Sequence, residues 1–521
     1  MEDSIWWIII ITLSFCATLK VVFNLLLQTP KKQLPPGPVS IPIITSLQWL
    51  RKKSFSGGLE PTLRNLKTKY GPIITLSIGQ RKSIFITTSS LVHQAMIQNG
   101  ALFADRPPAL ATSKIISNNQ HNITGASYGP LWRLLRRNLS LQILHPSKIN
   151  AFSPARKWVL NIIKESIKKE SKSGKNPLFL VDHIQFGMFC LLVFMCFGEK
   201  LDEKKIGEIE SVQRNLLLRF GGFEILIFFP TFTKIFFRKK WQDFYKLRSE
   251  QEKVLIHLIR SRQQQMRKTS EDENHHEEKS LGLCYVDSLL NLELPDEGGR
   301  KLTEHEIVGL CSEFLDAGTD TTSTALQWVM ANLVKHQEIQ SKLFDEIRRL
   351  NSDEIQEEDL KKLPYLKAVI LEGLRRHPPG HFVLPHAVTQ DVRLDGYVVP
   401  KEATVNIMIA EIGWDPKIWE DPMVFKPERF LNEEDGSLNE ELSDVTGNKE
   451  VKMIPFGAGR RMCPASGLAM LHLEYFVANL IKEFKWSAKV GDDIDFSEKQ
   501  EFTVVMKNPL WAHVTPREHQ D

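Results

Sequence analysis

The chain predicts a mainly α-helical fold with strands in the minority, tethered by an N-terminal membrane anchor helix. Three observations carry that expectation. Apolar residues recur at helical spacing through most of the 521 residues. Strand-like runs are confined to two short hairpins. Residues 5–27 are predominantly apolar, close to the roughly 20 residues that cross the hydrocarbon of a bilayer.

Composition narrows the function classes. A net charge of +4 is too small to point to nucleic acid. Apolar and charged fractions are those of a globular protein with a sizeable core. Six cysteines without regular spacing do not make a disulfide framework, which favours a reducing compartment. Asn122-Ile-Thr and Asn138-Leu-Ser match the glycosylation pattern, and are coincidences if the body faces the cytosol.

From the N-terminus, Lys20 and Asn24 interrupt the apolar run, and Lys20 is long enough to snorkel to the interface. The chain starts Met-Glu-Asp, unlike a cleaved signal peptide, while Lys31 and Lys32 follow the run. The basic side stays cytosolic. Residues 1–30 are therefore expected to be a signal anchor and residues 31–521 a cytosolic body. Leu34-Pro-Pro-Gly-Pro38 is a stiff, non-helical connector.

Residues 71–88 read as a hairpin, with Ile73, Ile74, Leu76 and Ile78 before a Gly79-Gln-Arg-Lys turn and Ile84, Phe85 and Ile86 after it. Asp395-Gly396 turns a second hairpin between Val392 and Val399. Trp132 and Arg136 lie four apart on one helical face, ordinarily a packed aromatic beside a solvated cation. Residues 266–280 read as a charged loop, and its His275 and His276 as solvated residues.

Thr303-Glu-His-Glu306 is a capping box, and helical periodicity runs from there to about Lys335. Its centre, Ala317-Gly-Thr-Asp-Thr-Thr322, suits a helix poorly. Two readings stand: a tolerated kink, or an opening that lets ligand and water reach the backbone. A later helix starts at Pro364, carries Glu372 and Arg375 on one face and stops at Pro378-Pro379. Such a pair is ordinarily a surface ion pair.

Near the C-terminus stands Phe456-Gly-Ala-Gly-Arg-Arg-Met-Cys463-Pro464, followed by an apolar helical run. Pro464 suits a first helical turn, which places Cys463 at a helix N-terminus where a thiolate is favoured. Gly457 and Gly459 allow turns and close approach to a planar group, and Arg461 can reach an acidic edge of it. A zinc site lacks a second ligand nearby, a nucleophile lacks a neighbouring base, and a buried inert thiol is the plain alternative.

The full pattern Phe-x-x-Gly-x-Arg-x-Cys resembles the haem-binding loop of the cytochrome P-450 superfamily. The anchor, proline hinge, Trp132-x-x-x-Arg136, the acid-alcohol pair Asp320-Thr321, Glu372-x-x-Arg375, Leu384-Pro-His386 and Phe425-Lys-Pro-Glu-Arg429-Phe follow in that superfamily's order. The chain is most similar to family 89 of the plant microsomal members. That closer likeness rests on Tyr128-Gly-Pro-Leu-Trp-Arg-Leu-Leu-Arg-Arg, Glu372-Gly-Leu-Arg-Arg-His-Pro-Pro-Gly-His381-Phe and Glu501-Phe-Thr-Val-Val-Met-Lys507. Ala465 departs from the commoner glycine two residues after the cysteine.

The resemblance implies a mainly α fold with a small β-rich lobe, and haem b between the central helix and the helix after Cys463. It implies Cys463 as axial iron ligand, Phe456, Gly459 and Arg461 in the cofactor loop, and Trp132, Arg136 and His386 on the haem propionates. Glu372, Arg375 and Arg429 become a buried lock. Activating dioxygen consumes protons that a dry pocket cannot supply unaided, and Asp320 and Thr321 take that relay. The implied enzyme is a haem-thiolate monooxygenase of the endoplasmic reticulum membrane, inserting one oxygen atom of O2 into a hydrophobic small molecule. Electrons come from NADPH through NADPH-cytochrome P-450 reductase, docking near Arg133, Arg137 and Arg460, with cytochrome b5 as a further donor. A haem-thiolate isomerase or dehydratase, or a non-catalytic haem sensor, is the alternative, and neither needs the proton relay. Expected pocket segments are 107–125, 215–235, 310–317, 380–385 and 502–505, with Phe220, Phe223, Phe228 and Phe229 as an apolar roof.

Overall fold

The computed structural model describes residues 12, 14–15, 33–38, 59–78, 81–172, 174, 176–223, 225–228, 230–271, 284–447, 449–489 and 493–517. Of the expected anchor, Thr12, Ser14 and Phe15 are helical and the rest lies outside the described residues. Gly79, Gln80, His275, His276, Phe229 and the Phe228 side chain also lie outside them.

Helix dominates, as the periodicity demands. The central helix, Glu304–Lys335, starts on the predicted capping box: the Thr303 hydroxyl accepts the Glu306 N–H, and the Glu306 carboxylate accepts the Thr303 N–H. It packs against helix Leu180–Phe197, helix Ser466–Glu483, helix Pro364–Arg376 and helix Arg238–Glu271. Leu180–Phe197 is long and apolar enough to cross a membrane, but 67% of it is buried, so here it serves as a core helix.

The expected weak stretch at residues 317–322 stays helical. Two side-chain effects replace an opening. The Thr321 hydroxyl donates to the Ala317 carbonyl at 2.6 Å, the back-bonding that lowers threonine's helix propensity. A Cβ on Gly318 would stand 2.5 Å from the Leu192 side chain, so the glycine lets the core helix approach.

The sheet-rich lobe holds a four-stranded sheet in the order Ile73–Ile78, Arg81–Ile86, Thr404–Ile407, His386–Ala387. Its first hairpin pairs Ile73 with Ile86, and only Arg81–Ile86 with Thr404–Ile407 is parallel. The apolar runs are continuous because both faces are covered: Ile73, Ile84 and Ile86 face one core cluster, Ile74, Leu76 and Phe85 another. The second predicted hairpin forms, with Asp395 and Gly396 both at positive φ as its turn requires. The proline connector is non-helical and pinned, since Thr75 N–H donates to Pro36 O and Val398 N–H to Gln33 O.

One expectation is corrected. Residues 266–271 are not loop but the end of helix Arg238–Glu271, because Met266, Arg267, Lys268 and Glu271 are good helix formers however polar the stretch.

Helix Pro364–Arg376 brings Glu372 and Arg375 together in the interior, where neither side chain is exposed. The pair is bidentate at 2.7 and 2.8 Å, and Arg429 Nε reaches Glu372 Oε1 at 3.1 Å. Arg375 Nη1 also donates to the Gly413 and Pro422 carbonyls. Glu372→Ala strands two guanidinium groups, and we expect it to cost about 3–5 kcal/mol. Thermal unfolding should show the loss, and an unshifted transition would contradict a buried lock.

Candidate active site

The cysteine loop is shaped by two left-handed glycines. Gly457 and Gly459 have φ of 73° and 67°. A Cβ on Gly459 would stand 2.1 Å from the Met96 carbonyl oxygen, so this position is closed to other residues by contact as well as by dihedral. Cys463 N–H donates to Phe456 O at 2.8 Å, closing the loop. The following helix starts at Ser466 with Ala465 as its cap, so Pro464 precedes the helix instead of opening it. Burial pushes the Cys463 thiol up, and the Ala465 amide and Arg136 act against that.

Cys463 faces a cavity of about 350 Å3 between its loop and the central helix. Phe456, Trp132, Arg136, Arg461, His386 and Thr321 line the same cavity. Arg136 Nη2 donates to Met462 O at 2.6 Å, and the Arg461 guanidinium lies 4.4 Å from the Trp132 ring centroid. Arg461 donates to the carbonyls of Ala104, Ile123 and Ala126. His386 Nδ1 is 2.7 Å from Phe103 O, which leaves Nε2 for the cavity, and burial holds its pKa down at about 3.

Arg106 went unread in the sequence, and Glu313 was covered only by the expected pocket segment 310–317. Arg106 donates to the carbonyls of Thr124, Leu384 and Pro385, and burial lowers it to about 9, still cationic at neutral pH. Nothing in Asp105-Arg-Pro-Pro has a helical partner that would signal its burial. Glu313 lies eight residues before Thr321, hence on its helical face, and that spacing was the available signal.

Asp320 and Thr321 do not share a chamber. Asp320 lines a second cavity of about 230 Å3 with Gln185, Arg214, Gln327, Glu501 and Thr503. Its Oδ1 accepts from Gln185 at 2.9 Å and Arg214 at 3.1 Å, while burial pushes its acid up against those two partners. Segments 215–235 and 502–505 are absent from the walls of the main cavity among the described residues. Phe502, Thr503, Val505 and Leu218 line the second one, and Phe220 and Phe223 pack near Phe244.

The comparisons agree with this architecture. A family model for cytochrome P450 matches residues 35–513. Cytochrome P450 89A9 of Arabidopsis thaliana is 48% identical, covering 99% of this chain and 99% of that protein. Isoflavone 2'-hydroxylase of Glycyrrhiza echinata is 31% identical, over 96% and 95% of the two chains. 5-Epiaristolochene 1,3-dihydroxylase of Nicotiana tabacum is 30% identical over 93% of each. A zebra fish cytochrome P450 solved with progesterone superposes with a TM-score of 0.71 at 22% identity, covering 88% of this chain and all of that one, a likeness of fold.

Gly459→Ala tests the loop. The left-handed backbone costs an alanine about 1–2 kcal/mol, the penalty expected at Gly436, where no atom stands near the added methyl. At Gly459 the Met96 carbonyl adds a clash, so thermal unfolding should show a clearly larger loss than for Gly436→Ala. Equal losses would mean that the loop yields.

Proposed function

This chain belongs to the cytochrome P450 family, whose enzymes are haem monooxygenases, and from that premise we propose that Cys463 would hold the iron of haem b in the main cavity through its sulfur. One observation carries the reading. The cysteine sulfur, three guanidinium groups bonded to backbone carbonyls, and the Thr321 hydroxyl on the opposite wall all converge on that cavity. The donor set fits the group: a sulfur for iron, cations for its two carboxylates, and the small residues Ala317, Gly318 and Ala469 where a flat ring needs room. When bound, the haem supplies activation of O2, so that one oxygen atom enters an apolar small molecule.

The chain's own residues do the rest. Arg136, Arg461 and Arg106 hold the acidic edge, with Trp132 supporting Arg461 and His386 offering Nε2. Phe456 and Gly459 keep the cysteine loop in place. Leu310, Phe314, Phe382 and Val383 give the substrate side an apolar wall and exclude water. Thr321 lines the same cavity and holds its hydroxyl proton on the Ala317 carbonyl. Asp320 collects protons in the second chamber, whose size and polarity suit water, and passes them across the helix. Its bond to Arg214 must loosen for each transfer.

Residues 1–30 anchor the chain in the endoplasmic reticulum membrane, with residues 31–521 on the cytosolic side. The apolar terminal run and Lys31 and Lys32 support this. Exposed Ile225, Phe232, Ile235 and Phe236 give the body a further apolar surface for the bilayer. Electrons arrive from NADPH through its reductase, with cytochrome b5 as a second donor. Exposed Arg133, Arg137 and Arg460 offer positive charge on the cysteine side, where Arg133 and Arg460 gather round the Tyr128 ring.

Two substitutions test the reading. Cys463→Ser should abolish the thiolate-type Soret band of the reduced, carbon monoxide-treated protein, and a retained band would overturn the ligand assignment. Thr321→Ala should leave haem binding intact and NADPH consumption running, with electrons diverted to hydrogen peroxide. Product formed per NADPH should fall by up to about a hundredfold, the lower end of the range for a proton-transfer group. Unchanged coupling would remove Thr321 from the relay.

A further inference from the structure

Glu313 is the one acidic side chain among the residues that line the main cavity, and the reaction just described gives it no part. It stands one turn before Ala317 and two before Thr321, so all three share a face of the central helix. Its Oε2 accepts the Ile123 N–H at 2.9 Å, and its Oε1 accepts from the Thr124 amide and from Asn122 Nδ2. A carboxylate offers about four acceptor positions, so one remains, on Oε2.

No cation is bonded to this carboxylate. Arg106 and Arg461 are near enough to be felt, but they donate to carbonyls of the same loop: Thr124 for Arg106, Ile123 and Ala126 for Arg461. Burial pushes the Glu313 acid up to about 7, against the two loop amides and the two arginines. Beside it, Tyr285 and Phe314 pair at 5.1 Å between centroids and line the same cavity. A carboxyl group without an ion pair next to aromatic rings is the surrounding that favours an organic cation, whose charge in turn holds the group ionised.

We propose that Glu313 is a specificity-determining residue that selects, among apolar small molecules, those carrying a positively charged nitrogen. The nitrogen docks on the free side of the carboxylate against Tyr285 and Phe314, and the rest of the molecule lies along the helix toward Thr321. Eight residues of helix separate the two ends by about 12 Å, which sets the reach between the charged nitrogen and the oxidised carbon. This rests on the reading of the cavity as the substrate pocket, and narrows it.

The test uses haem-loaded, full-length protein and calorimetric titration with two probes. One is trimethyl(5-phenylpentyl)ammonium, whose nitrogen has no lone pair to offer iron. The other is the same molecule with carbon in place of nitrogen. Wild type should bind the cation at least about tenfold more tightly, Glu313→Asp should keep a preference, and Glu313→Gln should lose it. The neutral probe should change by less than about threefold between wild type and Glu313→Gln. Equal weakening of both probes in Glu313→Gln would show that Glu313 serves only the loop. Absence of a preference in wild type overturns the proposal however the variants fold. The carbon monoxide spectrum of wild type, read separately, tests the cysteine assignment, so failure of the pocket reading and failure of the Glu313 role are distinguishable.

Discussion

Charge removed from water has to be answered at short range, and this constraint sets the arrangement of the interior. On the meander side, Glu372 is shared by Arg375 and Arg429, and the spare guanidinium N–H groups go to backbone carbonyls. On the cavity side the partners are different. Arg461 and Arg106 take carbonyls of residues 123–126, and Glu313 takes the amides of Ile123 and Thr124. A short loop is thus strung between the cysteine loop, the segment around Arg106 and the central helix. Asn122 belongs to this arrangement, with its side chain bonded to Gly125 and Glu313. A glycan there would break those bonds, in keeping with a chance match to the glycosylation pattern.

The central helix divides its chemistry between faces. Glu313, Ala317 and Thr321 repeat every four residues and look into the main cavity. Asp320, Ser323 and Gln327 look into the second. Gly318 sits against Leu192, so the same short stretch also gives close packing on a core helix. The helix acts as a partition: the face with Thr321 lines one cavity, the face with Asp320 the other, and between them threonine competes for the backbone carbonyl.

Much of this was legible in the sequence because it is periodic. The capping box, the length of the central helix and the Glu372–Arg375 spacing each fix a local geometry that tertiary packing keeps. The first hairpin was readable as continuous apolar runs, and the second as Asp-Gly between strands. What escaped depends on distant partners. Two of the three carbonyls that hold Arg106 lie 278 and 279 residues away, and its neighbours in sequence say nothing of them. The separation of Asp320 from Thr321 was readable in principle, since consecutive helical residues point about 100° apart. The charged end of helix Arg238–Glu271 was mistaken for loop because polarity was weighed above helix propensity.

The cavity has a consistent electrostatic logic. Its arginines are lowered by burial and satisfied only by neutral carbonyls, so a ligand with carboxylates gains more from them than solvent would. Cys463 is the reverse case. Burial raises its thiol, and one amide and Arg136 act against that. Glu313 repeats the pattern on the opposite wall, held by amides and lacking a bonded cation. Each charged group that faces this cavity is held in geometry by the protein and left short of its counter-charge.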